Sequence, residues 1–267
     1  MPVSVIDTHA HLDMAQFERD RNEVIQRAVV AGVAVMVNPA VDVRSSEKII
    51  KLAERDRHIF AAVGFHPQEA GRATEADIKR LAELARSSTR VVAIGESGLD
   101  FYRNRAPREV QIRVLEWQLD LAASLQLPII IHSREAEKDT LALLGNWIKA
   151  TKYPEGRARG VIHCFSGTSG IARQYIDMGF YIAFGGYITY PSSKIQNVIK
   201  SIPQDRLLTE TDCPYLAPQL HRGERNEPAY MLETAAYIAK VLGITPEEVG
   251  KITSGNAEHL FRLPQIK

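Results

Sequence analysis

A single-domain (β/α)8 TIM barrel of the α/β class, spanning residues 1–267, is the fold predicted from this sequence, on three observations. Eight short β-branched apolar runs recur along the chain, and most are continuously apolar, as expected of parallel strands covered on both faces. A segment with helical spacing of apolar residues separates each run from the next. Eight such units fit the ~250 residues typical of a barrel. Alternation alone leaves a doubly wound open sheet as the competing arrangement.

Taken in order, the expected strands are "VSVID" at 3–7, "VAVMVN" at 33–38, "IFAAVG" at 59–64 and "VVAIGE" at 91–96. "PIIIHS" at 128–133, "GVIHCF" at 160–165, "YIAFGG" at 181–186 and "RLLTET" at 206–211 complete the set. The helices of the first half lie in "RDRNEVIQRAVVAG", "SSEKIIKLAERD", "EADIKRLAELARS" and "VQIRVLEWQLDLAASLQ". In the second half they lie in "KDTLALLGNWIKA", "GIARQYIDMG", "SKIQNVIKSI" and "PAYMLETAAYIAKVLG", with a last helix near "PEEVGKITSGNAEHLF".

Composition sets the surroundings. The chain is 45% hydrophobic and 24% charged, which is ordinary globular usage with ample material for a large core. A net charge of +1 gives no broad basic footprint, so any contact with nucleic acid must be local. Two cysteines, Cys164 and Cys213, are too few for a disulfide scaffold and suit a reducing cytoplasm, the expected location. The start "MPVSVIDTHA" lacks the basic and apolar regions of a signal peptide, and no apolar run approaches the ~18 residues of a membrane span. No membrane association and no obligatory protein partner are expected.

The polar residues then gather at one end of the expected strands. His9, His11, His66, His132 and His163 all fall at or just past a strand's C-terminal end, as do Glu96 and Asp212, and that is the face on which barrel enzymes build active sites. In "SVIDTHAHLD", Asp7, His9 and His11 occupy alternate positions and would share one face of an extended segment. Glu96 stands where a buried strand emerges, and Asp212 closes the eighth strand, with Glu210 two residues earlier.

Single histidines at strand ends are usually hydrogen-bonded core residues. A cluster of titratable groups that are costly to desolvate requires a reason, and chelation supplies one. His9, His11, Glu96, His132, His163 and Asp212 make a nitrogen and oxygen donor set that suits zinc, manganese, iron or cobalt better than calcium. Six ligands exceed what one catalytic zinc takes, so two ions sharing a carboxylate are expected, with Glu96 as the bridge. A structural zinc site would close at four ligands, which argues against a non-catalytic metal-binding protein.

Eight motifs, "DTHAHLD", "GFHP", "IGESGLDFYR", "IHSREA", "HCFSG", "ETDCPYLAP", "HRGERNEP" and "GNAEHLF", resemble in order those of the TatD family of metal-dependent deoxyribonucleases, within the amidohydrolase superfamily. The resemblance runs from Asp7 to Phe261 and implies a barrel with a divalent metal centre that hydrolyses DNA phosphodiester bonds, with 3′-5′ exonuclease action as one form of that activity. It implies one metal site of His9, His11, Glu96 and Asp212 and a second of Glu96, His132 and His163. The two ions are left open among zinc, manganese, magnesium, nickel and cobalt.

The remaining roles follow from chemistry. Asp212 is expected to act as both ligand and base towards water, Glu210 to orient a ligand or that water, and Asp7 to support the histidine pair. His66 is expected to contact phosphate or assist the leaving group, with a structural loop histidine as the other reading. Arg134 and the triplet Arg103, Arg105 and Arg108 are candidates to hold phosphates, the triplet equally a solvated loop. Tyr102 and Phe101 would stack on a base or pack against the rim, and His221 and Arg222 would line the same mouth. DNA is the expected substrate. The alternative is a superfamily enzyme hydrolysing a small ester, amide or lactone, because the same centre would attack a carbonyl as readily as a phosphorus.

Overall fold

The computed structural model describes residues 4–151 and 157–264, so Val3, the expected start of the first strand, lies outside the described residues. In chain order the elements are β1 (Val5–Asp7), α1 (Arg21–Ala31), β2 (Val33–Pro39), α2 (Val43–Arg55), β3 (Ile59–Val63), α3 (Glu75–Ser87), β4 (Val91–Asp100) and α4 (Arg108–Leu125). They continue as β5 (Ile129–Arg134), α5 (Glu137–Ala150), β6 (Gly160–Ile162), α6 (Ser169–Asp177), β7 (Phe180–Phe184), α7 (Gln196–Ser201), β8 (Leu207–Thr209), α8 (Met231–Leu242) and α9 (Pro246–Phe261). The strands form one eight-stranded sheet in the order β1 to β8. The fold is of the (β/α)8 barrel class.

By backbone contacts the chain divides into two compact units, Met1–Asn38 with Cys164–Arg173 and Ile182–Lys267, and Pro39–His163 with Gln174–Tyr181. In the first unit β1 runs parallel to β2, and β7 to β8. The first and last strands also meet there: Thr8 N–H donates to the Thr209 carbonyl at 3.2 Å, and Ala10 bridges to Cys213 in parallel. Ile6, Leu12, Phe17, Met36 and Phe184 form its fully buried core. Each such side chain contributes about 1.5–3 kcal/mol by leaving water.

In the second unit β3, β4, β5 and β6 pair in parallel around buried Ile59, Ile94 and Leu99. Strand β4 departs from the expected boundary. It continues through "SGLD" to Asp100, so Glu96 sits inside the strand rather than at its end. The reason lies in the pairing: Ile94 faces Ile129 but Ser97 faces Ile131, so β4 carries one extra residue there. Such a bulge re-aims a side chain without ending the strand.

Helix α4 holds that stretch. Gln111 and Gln118 are seven residues apart, hence on one face, and both are buried. Gln111 Oε1 accepts Asp100 N–H at 2.8 Å, while Gln118 Nε2 donates to Ser97 Oγ at 2.7 Å and its Oε1 accepts Phe65 N–H at 2.7 Å. Two amides thereby fix both ends of the segment after Glu96.

Candidate metal centre

In the first unit His9 and His11 follow β1, both buried, with Nε2 atoms 3.1 Å apart. Asp212 Oδ1 lies 3.8 Å from His9 Nε2 and 3.5 Å from His11 Nε2. Asp212 stands three residues beyond the end of β8, in the left-handed region at φ 54°, rather than closing the strand. Its amide donates to the His9 carbonyl at 2.8 Å, which sets it against the histidine pair.

Asp7 acts on backbone rather than on the imidazole rings. Its Oδ1 accepts the amides of His9 at 3.1 Å and Thr211 at 3.0 Å, and its Oδ2 accepts the Thr211 hydroxyl at 2.6 Å. Burial pushes its pKa up to about 7 against these hydrogen bonds. Glu210 is buried, and its Oε1 accepts the Cys164 amide at 2.6 Å. It therefore steadies the turn that follows His163.

In the second unit the donors surround one oxygen. Glu96 Oε1 lies 2.9 Å from His132 Nδ1, 2.9 Å from His163 Nε2 and 3.4 Å from His66 Nε2. His132 Nδ1 and His163 Nε2 are 3.1 Å apart. Ligand atoms of His66, Glu96 and His132 all lie within 4.8 Å of one another. Burial alone would lower the His132 pKa, but hydrogen bonds to Asp100 and Glu96 outweigh it and raise the value.

Both clusters fit a divalent metal. A neutral imidazole presents one N–H and one lone pair, so nitrogens facing each other at 3.1 Å need a proton or a cation between them. Imidazole with carboxylate is a donor set for zinc, manganese or related ions. His66 differs from the others. Its Nδ1 accepts the Gln68 amide at 3.1 Å, which leaves the proton of the neutral ring on Nε2. That nitrogen then carries a proton rather than a lone pair, 3.4 Å from Glu96 Oε1.

The expected substrate residues divide. Arg134 and Tyr102 are both exposed, and the guanidinium lies 4.1 Å from the ring centroid, a cation–π pair beside the end of β4. Arg103 lies 5.9 Å from the same ring. Phe101 is buried under Arg108 at 4.3 Å and packs rather than projects. Arg222 is exposed and lies 4.8 Å from the Tyr190 ring.

His221 lies in the loop after β8. Its ring stacks on Tyr230 at 3.6 Å and sits between Glu224 at 3.0 Å and Glu233 at 2.8 Å. Those contacts anchor it within the loop after β8.

Several residues were not singled out from sequence. Asp100 is buried and accepts the Gln68 side-chain amide and the Arg103 amide, each at 2.8 Å, with His132 Nε2 at 3.6 Å. Burial would raise its pKa, but these partners hold it well below the ordinary carboxylate range. Asn226, in "HRGERNEP", donates to the Thr211 carbonyl at 2.8 Å and the Tyr215 carbonyl at 2.6 Å, clipping the loop that carries Asp212. The run "GLD" ending a strand was the available signal for Asp100. Nothing local marks Asn226.

Eight parallel strands bearing buried imidazoles and carboxylates just beyond or within their ends define a metal-dependent hydrolase of the barrel class. The chain belongs to the TatD related DNase family, whose profile matches residues 6–262. It is 40% identical over 262 residues, 97% of this chain and 99% of the other, to an uncharacterized metal-dependent hydrolase, YabD, of Bacillus subtilis. A protein of Salmonella typhimurium named 3′-5′ ssDNA/RNA exonuclease TatD is 34% identical over 265 residues, covering 97% of this chain and 99% of that one. The crystal structure of the TatD homolog YJJV of Escherichia coli superposes with a TM-score of 0.91 at 32% identity, covering 99% of this chain and 100% of that one.

Proposed function

We propose that the protein is a deoxyribonuclease that trims single strands from the 3′ end through two divalent metal ions and an activated water. The observation that carries this reading is the pair of nitrogen and oxygen donor clusters, His9 with His11 and Asp212, and Glu96 with His132 and His163. The similarity to a relative named as an exonuclease on single-stranded DNA and RNA supports the substrate class. Residues 1–267 act as one domain in this reading, and the thiols of Cys164 and Cys213 suit the cytoplasm assigned to it.

His9, His11 and Asp212 would hold one ion, and His132 and His163 the other, with Glu96 the carboxylate shared by both. Bound ions would supply Lewis acidity at the phosphate and a water whose pKa falls towards about 7. The chain's own groups do the rest. Asp212 accepts the proton of the attacking water as its oxygen bonds to phosphorus. His66 Nε2, fixed as a donor, gives its proton to the oxygen released when the phosphodiester bond breaks. Asp100 orients His132 from its Nε2 side. Arg134 and Arg222 offer charge-assisted hydrogen bonds to neighbouring phosphates, and Tyr102 offers a ring for a base.

The test is cleavage of 3′- and 5′-labelled single- and double-stranded DNA and RNA by metal-reconstituted protein, beside generic carboxylic esters and phosphodiesters. Metal-dependent shortening of DNA from its 3′ end is expected, and Glu96→Ala reduces it to background. Hydrolysis confined to carboxylic esters or lactones would overturn the nuclease reading. Wild-type turnover by the Glu96→Ala protein would overturn the dinuclear arrangement.

A further inference from the structure

The first unit contains a cavity of about 520 Å³ that none of the roles above uses. Its walls come from the loop after β6, through Ser166 and Thr168, from Tyr187 and Tyr190 after β7, and from Ser193 and Lys194. Among the described residues that line it, none carries a carboxylate. Hydroxyl donors, one ammonium and no acid form a surface suited to an anion.

Three further observations say which anion. First, the cations here are unspent. Lys194 is exposed and Arg222 lies over the Tyr190 ring at 4.8 Å, and neither forms an ion pair among the described residues. Elsewhere in the same unit Arg225 is bound to both Asp20 and Glu227. Second, the tyrosines are held as walls by their hydroxyls: Tyr190 donates to the Ala217 carbonyl at 2.9 Å and Tyr187 to the Phe165 carbonyl. Fixed rings beside cations are a stacking surface for a base next to a phosphate.

Third, a hydrogen bond ties the segment leading into the cavity wall to the segment that carries Asp212. Glu210, two residues before Asp212, accepts the amide of Cys164, and the Cys164–Phe165 segment leads directly into Ser166 and the cavity wall. A strand whose scissile phosphate lies at Asp212 therefore has a neighbouring polar recess within the same unit.

We propose that this cavity binds one nucleotide of a single-stranded nucleic acid adjacent to the scissile phosphate, with Lys194 and the serine hydroxyls on its phosphate and a tyrosine ring against its base. The proposal rests on the nuclease reading above. The volume lies within the roughly 300–1,000 Å³ of small-molecule sites, which admits an extruded nucleotide, whereas a duplex, with its major groove alone about 12 Å wide, does not enter.

The experiment is fluorescence anisotropy of labelled, hydrolysis-resistant phosphorothioate oligothymidylate with the full-length protein across a salt series. Lys194→Ala should weaken binding about fivefold at low salt and flatten the slope of log affinity against log salt by about 0.7, the loss of one phosphate contact on a single strand. Ser166→Asp, which places a carboxylate on the wall, should weaken it further. Lys240→Ala, an exposed lysine on α8, serves as the control and should leave affinity and slope unchanged. Equal affinity and slope for wild type and Lys194→Ala would overturn the proposal, as would an equal loss in the Lys240→Ala control. A Lys194-dependent duplex affinity matching that for the single strand would overturn it too. No binding by wild type overturns it together with the nuclease reading. Retained Lys194-dependent binding with no cleavage of unmodified labelled DNA in the assay above refutes the nuclease reading alone, and cleavage there with unchanged Lys194→Ala binding refutes the cavity alone.

Discussion

A hydrogen bond from one backbone amide decides what His66 can do. Because Nδ1 accepts from Gln68, the proton of the neutral ring sits on Nε2, next to Glu96, and it is this proton that the proposed mechanism gives to the leaving oxygen. Removing that donor in His66→Ala should lower kcat about 10²-fold with little change in KM, measured by single-turnover and steady-state cleavage. A rise in KM alone would make His66 a binding residue. The alternate spacing of His9 and His11 was legible in sequence because a strand's side chains repeat every second residue. Asp100 and Asn226 were not, because their partners are fixed only by tertiary structure: a histidine on the next strand for one, and carbonyls 15 and 11 residues earlier for the other. The engagement of His221 by Tyr230 and two glutamates was hidden for the same reason.

At the level of elements, β4 concentrates the design. All ten of its residues are buried, and the extra residue between Ile94 and Ser97 places Glu96 among three imidazoles while the strand runs on to Asp100. Gly98 makes this possible: its φ of +145° is closed to ordinary side chains, and a Cβ would collide with the His132 carbonyl oxygen. Gly98→Ala should therefore destabilise the fold by at least about 1–3 kcal/mol, and urea unfolding beside a circular dichroism spectrum checks it. A midpoint equal to wild type would show that the strand relaxes around the methyl group. All eight strands were legible from continuous apolar runs, within a few residues at their ends. Periodicity misses the length of β4, since a bulge interrupts alternation and "ESG" reads as a turn.

For the molecule as a whole, near-neutral net charge coexists with strongly paired local charge. Arg225 grips Asp20 through both oxygens, at 2.8 and 2.6 Å, and Glu227 at 2.8 Å, while Arg27 grips Glu227 at 2.8 and 2.9 Å. The clamp fastens α1 to the loop after β8. The hydrogen bonds and charges of Arg27 and Arg225 overcome burial and hold Glu227 below its ordinary pKa of 4.5. A carboxylate lowered in the folded state gives stability that is complete above its unfolded pKa and lost as the pH falls through the folded value. Unfolding midpoints should accordingly drop below about pH 4.5 in wild type more steeply than in Glu227→Gln. Parallel pH dependence in the two proteins would exclude the clamp as the cause.

His9 and His11 belong to the opening residues of the chain, and the carboxylate beside them, Asp212, is about 200 positions later. At ribosomal rates of roughly 5–20 residues per second, the histidines wait on the order of 10–40 s for that oxygen. Glu96, His132 and His163, by contrast, have all been translated once residue 163 is reached. A nascent chain thus has one donor cluster written in full well before the other, and a message truncated ahead of β8 yields a polypeptide with histidines but no Asp212 to complete them.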